Sequence, residues 1–345
     1  MRNTARRQGA GLFKNMRILF AASPAVAVPA LRAVSDMELE GKGIELAGIL
    51  TNPDSRQGRH ACEEPTFISA AVSELNLVRK EKGFPPVPQF KPPKLNSGAR
   101  EEIAAVRPEL LVSFACGYIF GPLFMALFPL GGINIHPSLL PKYRGASPIP
   151  AVILARERET GICIQRLAAE VDTGDILAEE RFPLSGQETA LSLCEIIAPR
   201  AARLLADLLG NFSIRSAAAR PQEGESSYCG RLKKESGLID WSKTAVEIDA
   251  QIRAFTPWPL SFTRCGTRTL FILKARPLES PESADVLQGG SVSGTVLGID
   301  RDKGILIQTG DGILAVSRLQ WQSKKALDCK AFSNGARDFI CSRLG

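Results

Sequence analysis

Short apolar segments alternate with segments of helical spacing through the first 209 residues of this 345-residue chain. The strands that this pattern predicts are 17–22, 45–51, 110–115, 131–136, 161–167 and 176–183. The predicted helices are 26–35, 67–82, 100–106, 147–158 and 189–209. Because the strands are mostly apolar throughout, rather than apolar at every second residue, they are typical of a sheet that helices cover on both faces. The pattern predicts an α/β domain with a mostly parallel, Rossmann-like sheet.

The sequence changes character after residue 209. Residues 210–224 mix Ser, Arg, Pro and Gly with few apolar residues, and we expect a linker there. Short strand-like stretches follow at 237–241, 261–264, 269–276, 292–299, 304–309 and 312–318. Several short strands within about 100 residues indicate a small β-barrel, for which the OB type is one candidate. The predicted organisation is a basic tail over 1–15, a first domain over 16–209, the linker, and an OB-like domain over 225–345.

The net charge of +7 is unevenly distributed. Residues 1–15 carry four basic and no acidic side chains, residues 16–224 carry 22 and 23, and residues 225–345 carry 17 and 13. A basic second domain beside a neutral one fits a polyanionic partner such as RNA, and a solvated basic surface is the alternative. The tail lacks the serines and the amphipathic pattern of a transit peptide, so we expect it to be disordered, or the working chain to start at Met16.

Several classes of site are excluded by what the sequence lacks. There is no Gly-x-Gly-x-x-Gly after the first strand, no P-loop and no Gly-x-Ser-x-Gly, so dinucleotide, P-loop and serine-hydrolase sites are not supported. The eight cysteines form no Cys-x-x-Cys pair and there are only two histidines, so we expect no metal. No apolar run is long enough for a bilayer, and we expect a cytoplasmic protein with reduced thiols.

Two polar motifs are the candidates for chemistry. Asn134 and His136 lie two residues apart on a predicted strand, so their side chains leave the same face, near the carboxyl end where open α/β sheets bind ligands. Asp172 opens the polar turn Asp172-Thr-Gly-Asp175 between two strands. Each motif has a structural alternative: a core histidine beside a capping asparagine, and an Asx turn. Neither motif decides the function alone.

The two motifs together resemble a known family. Asn134-Ile-His-Pro-Ser-Leu-Leu-Pro-Lys-Tyr-Arg-Gly-Ala, followed by Val171-Asp-Thr-Gly-Asp, resembles the segments shared by the formyltransferases that use 10-formyltetrahydrofolate. Arg253-Ala-Phe-Thr-Pro-Trp-Pro and Thr309-Gly-Asp-Gly resemble the second domain of the branch of that family that formylates methionyl-tRNA. The similarity runs from about Met16 to the C-terminus in one order.

The resemblance implies a reaction and a role for each matched residue. A formyl group moves from 10-formyltetrahydrofolate to the α-amine of initiator methionyl-tRNA, for translation initiation, on a cytoplasmic monomer without a metal. Asn134 and His136 would stabilise the oxyanion, and Asp172 would orient His136 and assist proton transfer. The matched folate-contacting residues are Ser138, Leu139, Leu140 and Pro141. Arg59 occupies the family's arginine position for the acceptor stem, although acidic residues rather than lysines follow it here.

Other functions remain open at this point. The same catalytic domain serves formyltransferases that act on the amine of a sugar nucleotide or of a purine precursor, and formyl-folate hydrolases are a further alternative. A different class is an RNA-binding protein whose catalytic domain is inactive. The basic second domain with Phe255-Thr-Pro-Trp-Pro favours tRNA over the small amines, and the intact Asn134, His136 and Asp172 argue against an inactive domain.

Overall fold

The computed structural model describes residues 15–57, 62–278, 292–335, 339–340 and 342–345. The described chain divides into two compact units that are not continuous in sequence. The first unit holds the residues up to His136 together with Cys163–Glu179 and Ala198–Gln222. The second unit holds Pro137–Ile162, Glu180–Ile197 and the residues from Glu223 onward.

Strands and helices alternate in the first two-thirds of the chain, and strands dominate the rest. The strands are β1 Met16–Ala22, β2 Ile44–Leu50, β3 Ser55–Gln57, β4 Cys62–Glu64, β5 Gln89–Phe90, β6 Leu110–Phe114, β7 Gly132–His136, β8 Arg144–Gly145, β9 Glu159–Arg166, β10 Ile176–Pro183, β11 Tyr228–Cys229, β12 Ser261–Cys265, β13 Arg268–Pro277, β14 Val296–Asp300, β15 Gly304–Gln308, β16 Ile313–Trp321 and β17 Leu327–Asp328. The helices are α1 Val28–Leu39, α2 Phe67–Glu81, α3 Ser97–Ala105, α4 Pro122–Met125, α5 Pro148–Leu154, α6 Ala190–Gly210, α7 Phe212–Ala217, α8 Ala245–Ala254 and α9 Cys329–Asn334. Two 3₁₀ turns cover Ala25–Ala27 and Lys234–Gly237.

A seven-stranded sheet with the order β10-β9-β7-β6-β1-β2-β5 forms the centre of the α/β fold. The five strands from β7 to β5 pair in parallel, and β9 pairs antiparallel to β7. The five residues of β6 are all buried, as are the last five of β1, so these strands have no solvent-facing side. This confirms the predicted mostly parallel sheet and explains why its strands read as continuous apolar runs.

Helices α1 and α2 pack together beside this sheet and are held by charged as well as apolar contacts. Thr66 caps α2, since its side chain accepts from the backbone N–H of Ser69 at 3.0 Å. Arg79 of α2 donates to Glu38 of α1 at 2.5 Å, and both side chains are at least nine-tenths buried. The Arg79 Nε also donates to the Pro85 carbonyl at 2.9 Å. A buried charge is tolerated when it is paired and hydrogen-bonded, as Arg79 is by Glu38 and the Pro85 carbonyl.

The second unit contains an antiparallel sheet with the strand path β12-β13-β16-β15-β14, and β17 pairs with β16. Helix α8 packs on β13 and β16 with Ile248 and Ile252, one turn apart and both buried. Trp241 fills the same core and donates its indole N–H to Thr263 Oγ1 at 2.9 Å, so its polar atom is satisfied. The prediction of a C-terminal β domain after an α/β domain is therefore confirmed.

Several local expectations differ from the structure. The paired strands β3 and β4 were not predicted, and the predicted linker over 210–224 contains α7. Residues 237–241 form no strand, only a single bridge between Leu238 and Phe262. Helix α8 was not predicted, although Thr244 and Glu247 form the reciprocal capping box that marks a helix start. The predicted boundaries of the two domains and the linker stay predictions.

Neither a membrane-spanning helix nor a metal-binding cluster occurs among the described residues. None of the helices in the described ranges has both the length and the apolar content that crossing a bilayer requires. Within the same ranges, no group of three His, Cys, Asp or Glu side chains is arranged to hold a metal ion. The predicted disorder of residues 1–15 falls almost entirely outside the residues that the structure describes.

The buried ion pair between α1 and α2 gives a stability prediction. We expect Glu38→Gln to lower the free energy of unfolding by about 3 kcal/mol, because the Arg79 guanidinium would stay buried without its counter-charge. Urea denaturation followed by circular dichroism measures this change. The matched control is Glu74→Gln, which breaks the exposed pair of Glu74 with Arg32 between the same two helices and should cost less than about 1 kcal/mol. Equal losses in the two variants would contradict the prediction.

Candidate functional site

The carboxyl end of β7 presents two polar side chains on one face of the sheet. Asn134 and His136 are the third and fifth residues of this five-residue strand, so strand alternation places them on the same side. The antiparallel neighbour β9 sets Gln165 opposite Asn134 and Cys163 opposite His136. Directly opposed residues of an antiparallel pair share a face, so the polar side chains of Asn134, His136 and Gln165 lie on one side of the sheet.

Asp172 reaches this cluster from the turn between β9 and β10. Its φ of +56° lies in the left-handed region, which a short polar residue such as aspartate tolerates better than most. Two residues later the turn passes against β9: a Cβ on Gly174 would stand 1.9 Å from the Arg166 carbonyl oxygen. Glycine at this position therefore lets the turn lie close to β9, and that brings Asp172 to the strand face.

The three predicted catalytic residues are brought together. Asn134 Nδ2 donates to Asp172 Oδ1 at 3.2 Å, and His136 Nδ1 lies 3.4 Å from Asp172 Oδ2. The two carboxylate oxygens thus face different partners. The side chain of His136 is 4% exposed and that of Asp172 is 10% exposed, so this contact is shielded from water and its electrostatic interaction is strengthened. The arrangement can hold the imidazole in one orientation and can stabilise a positive charge on it.

Two glutamines that no sequence motif indicated also belong to this cluster. Gln165 Nε2 donates to Asp172 Oδ1 at 2.7 Å. Gln222 Nε2 lies within hydrogen-bond distance of Gln165 Oε1 at 3.1 Å and of the carbonyl oxygens of Asp172 and Gly174 at 2.9 and 2.8 Å. The strand parity that selected Asn134 could have found Gln165 once the pairing of β7 with β9 was known. Gln222 has no such signal, since it lies 50 residues beyond Asp172.

A thiol and a phenol follow the neighbouring strand β6. Burial raises the pKa of Cys116 to about 11 and, together with the nearby Cys116, raises that of Tyr118 to about 12. Both groups are therefore neutral at physiological pH. The Tyr118 hydroxyl lies 3.1 Å from the Thr51 carbonyl oxygen and 2.5 Å from that of Pro92. These groups hold the loop after β6 in place, and Cys116 does not offer a thiolate nucleophile.

The predicted folate residues follow β7 directly and lie in the second unit. Ser138 is fully buried and its hydroxyl donates to the Lys142 carbonyl at 2.7 Å, so its side chain stabilises the turn. A cavity of about 200 Å³ is lined by Leu139, Leu140 and Pro141 among others. Its remaining walls carry both signs of charge, from Lys142, Glu157, Glu159, Arg181, Glu223 and Glu225.

Tyr143 follows this segment, and a hydrogen bond to Glu157 holds its side chain. Its φ is +60°, and its hydroxyl donates to Glu157 Oε1 at 2.6 Å. Burial, reinforced by Glu157, raises the pKa of the phenol, while the hydrogen bond from Tyr143 lowers the pKa of Glu157. The tyrosine therefore stays protonated and the glutamate stays charged near neutral pH. Arg59, predicted for tRNA contact, lies outside the described residues.

The antiparallel sheet in the second unit carries exposed basic side chains on its strands. Lys274 of β13 and Arg318 of β16 stand opposite each other, although like charges in such a pair destabilise a sheet. Arg268, also on β13, stacks its guanidinium 3.7 Å from the centre of the Trp321 ring. Asp328 of β17 is opposite Arg318 on its other side and reduces the local positive charge. The like-charged pair and the cation–aromatic stack suit a polyanionic ligand.

Comparisons with known proteins show the family to which the chain belongs. The profile of the family described as "Formyl transferase" matches residues 16–209, and that of "Formyl transferase, C-terminal domain" matches residues 231–337. A methionyl-tRNA formyltransferase of Treponema denticola is 48% identical over 94% of this chain and 98% of its own length. That of Treponema pallidum is 40% identical over 96% of this chain and 99% of its own.

Among solved structures, similarity extends to a protein that acts on a different kind of amine. WlaRD, a sugar 3N-formyl transferase solved with dTDP and 5-N-formyl-THF, superposes with a TM-score of 0.58. The match covers 90% of this chain and 99% of WlaRD at 19% identity. At that identity the similarity shows a shared fold and leaves the acceptor open.

Proposed function

The chain belongs to the formyl transferase family, in the branch of the methionyl-tRNA formyltransferases, and is a formyl-transferring enzyme; from this premise we propose how its residues carry the reaction. The proposed reaction moves the formyl group of 10-formyltetrahydrofolate to the α-amine of methionyl-initiator tRNA. The enzyme is proposed to act as a cytoplasmic monomer. The observation that carries the mechanism is the buried contact of Asn134, His136 and Asp172 at the carboxyl end of β7.

The proposed roles of the site residues follow from the position at which charge develops during the reaction. The lone pair of the methionine amine attacks the formyl carbon, a new C–N bond forms, and the formyl oxygen becomes an oxyanion. The N–H groups of Asn134 and His136 can donate to that oxyanion, and such pre-oriented donors contribute most in a site shielded from water. The C–N10 bond then breaks, and N10 of the folate gains the proton that the amine nitrogen loses. Asp172 holds His136 and can assist this proton transfer.

The folate is proposed to bind along the segment Ser138–Pro141. Because the Ser138 hydroxyl is committed to the Lys142 carbonyl, this segment would offer backbone groups and the half-buried Leu139 rather than the serine side chain. The cavity beside it fits the chemistry of a folate: apolar walls for a fused ring, and charges of both signs for its amino groups and carboxylates.

The acceptor is proposed to be tRNA rather than a small amine. The exposed basic side chains of the antiparallel sheet support this choice, since Lys274 faces Arg318 and Arg268 covers an indole ring. Phosphates neutralise such like-charged pairs, and nucleotide bases stack on aromatic and guanidinium planes. A sugar-nucleotide amine would not need these basic side chains. Arg59 is proposed to contact the acceptor stem.

The acceptor can be tested directly. The protein is incubated with 10-formyltetrahydrofolate and methionine-charged initiator tRNA, and formyl-methionine is measured after release from the tRNA. We expect formylation of the charged tRNA and no comparable turnover with an amino-sugar nucleotide. Turnover with the sugar nucleotide alone would show that the acceptor is a sugar nucleotide and not tRNA. No turnover with any amine would favour an RNA-binding protein without activity.

The catalytic assignment predicts a large loss of activity in His136→Ala. We expect kcat to fall by about 100-fold or more, because an oxyanion donor is removed, with circular dichroism unchanged. Cys163→Ala is the matched control, since Cys163 is the cross-strand neighbour of His136 and is also buried. That control should retain kcat within a few-fold. A His136→Ala enzyme with near-normal kcat would show that the assignment is wrong.

The proposed role of Arg59 predicts that its replacement affects the KM for tRNA but not the KM for folate. In Arg59→Ala we expect the KM for charged tRNA to rise about tenfold, as for the loss of one hydrogen bond to a charged group, with an unchanged KM for 10-formyltetrahydrofolate. Arg32→Ala, which removes an exposed arginine of α1, is the control and should change neither value. A parallel rise of both KM values in Arg59→Ala would indicate a structural role for this residue.

A further inference from the structure

We propose that Gln165 and Gln222 form a positioning pair that fixes the Asp172 carboxylate against His136. The inference rests on the function proposed above and adds two residues that do not touch the reacting atoms. It starts from the hydrogen bonds of the carboxylate. Oδ1 accepts from Asn134 at 3.2 Å and from Gln165 at 2.7 Å, while Oδ2 faces His136 at 3.4 Å.

Gln165 makes the shortest of these contacts to the carboxylate. A carboxylate attached to a flexible turn can rotate about its Cβ–Cγ bond, and two donors on one oxygen restrict that rotation. The Asn134 amide has two hydrogens and is proposed to share them between Oδ1 and the substrate oxyanion, whereas Gln165 makes the shorter contact to Oδ1, at 2.7 Å. Gln165 is therefore the group that keeps Oδ2 directed at the imidazole.

Gln222 decides which end of the Gln165 amide faces the carboxylate. The Nε2 of Gln222 lies 3.1 Å from the Oε1 of Gln165, so that oxygen acts as an acceptor and the Nε2 of Gln165 must point to Asp172. If the Gln165 amide were reversed, its oxygen would face the negative carboxylate. Gln222 thus fixes the donor orientation from the far side of the pair.

Gln222 also holds the backbone of the turn that carries Asp172. Its Nε2 lies 2.9 Å from the Asp172 carbonyl oxygen and 2.8 Å from that of Gly174. An amide nitrogen has two hydrogens, which the three acceptors share. All three acceptors belong to Gln165 or to the turn of Asp172, so each contact holds Gln222 against the site. The left-handed φ of +56° at Asp172 makes such support necessary, because that conformation is unfavourable for a residue other than glycine.

The test uses Gln165→Met, which keeps the length and much of the volume of the side chain but removes the donor. We expect kcat to fall by about tenfold to a hundredfold, with the KM for 10-formyltetrahydrofolate nearly unchanged. The control is Gln308→Met, which removes a buried amide that donates to the Thr309 carbonyl at 3.0 Å in the second unit. It should leave kcat unchanged.

A double-mutant cycle separates positioning from general packing. In an Asp172→Asn background, the added Gln165→Met change should have little further effect on the single-turnover rate, because the carboxylate it positions is already absent. A purely structural role would give the same fold-loss in both backgrounds. Gln222→Leu provides a second variant: we expect a smaller loss of kcat alone and no loss beyond that of Gln165→Met when the two are combined.

The outcomes distinguish this inference from the proposed function. All rates are measured with the acceptor amine that the wild-type enzyme formylates, so a different acceptor would revise the function and leave the positioning test intact. Wild-type kcat in Gln165→Met, or equal losses with and without the Asp172 carboxylate, would overturn the inference. If Gln165→Met does not fold, wild-type kcat in Gln222→Leu would overturn it instead.

Discussion

The antiparallel pairing of β9 with β7 is the constraint on which the candidate site depends. Its register sets Gln165 opposite Asn134 and Cys163 opposite His136, so the polar groups of the two strands share a face. A slip of one residue would turn every side chain of one strand to the other side of the sheet. Because Asp172 lies in the turn that follows β9, the same pairing also fixes the position of Asp172.

The residues of the candidate site are held in position by two different kinds of structure, a strand and a turn. Asn134 and His136 are placed by a buried strand, whose apolar neighbours leave it little freedom. Asp172 is placed by a strained turn, which depends on the close approach at Gly174 and on contacts from Gln222. Rigid donors suit the stabilisation of an oxyanion, since they need no rearrangement when charge develops. The turn needs supporting hydrogen bonds because its own conformation is unfavourable.

The second unit has features that the candidate site lacks. Its core, with Trp241 and the inward face of α8, stabilises an antiparallel sheet whose other face carries Lys274 and Arg318 opposite each other. The free energy gained by burying the apolar residues of this core offsets the repulsion between the like charges, which would otherwise weaken the sheet. The chain thus combines a neutral α/β fold with a basic surface suited to a large anionic acceptor.

The sequence by itself determined the alternation of buried strands and helices, the polar pair of Asn134 and His136, and the family resemblance that added Asp172. These features are local: strand periodicity and motif spacing are properties of neighbouring residues. Only the tertiary structure decided that Gln165 and Gln222 join the cluster, because their partners come from strand pairing and from a segment 50 residues beyond Asp172. It likewise decided the position of α8, whose capping box was visible in the sequence but whose apolar face has meaning only against β13 and β16. Contacts between distant segments depend on register and packing, and no local pattern encodes them.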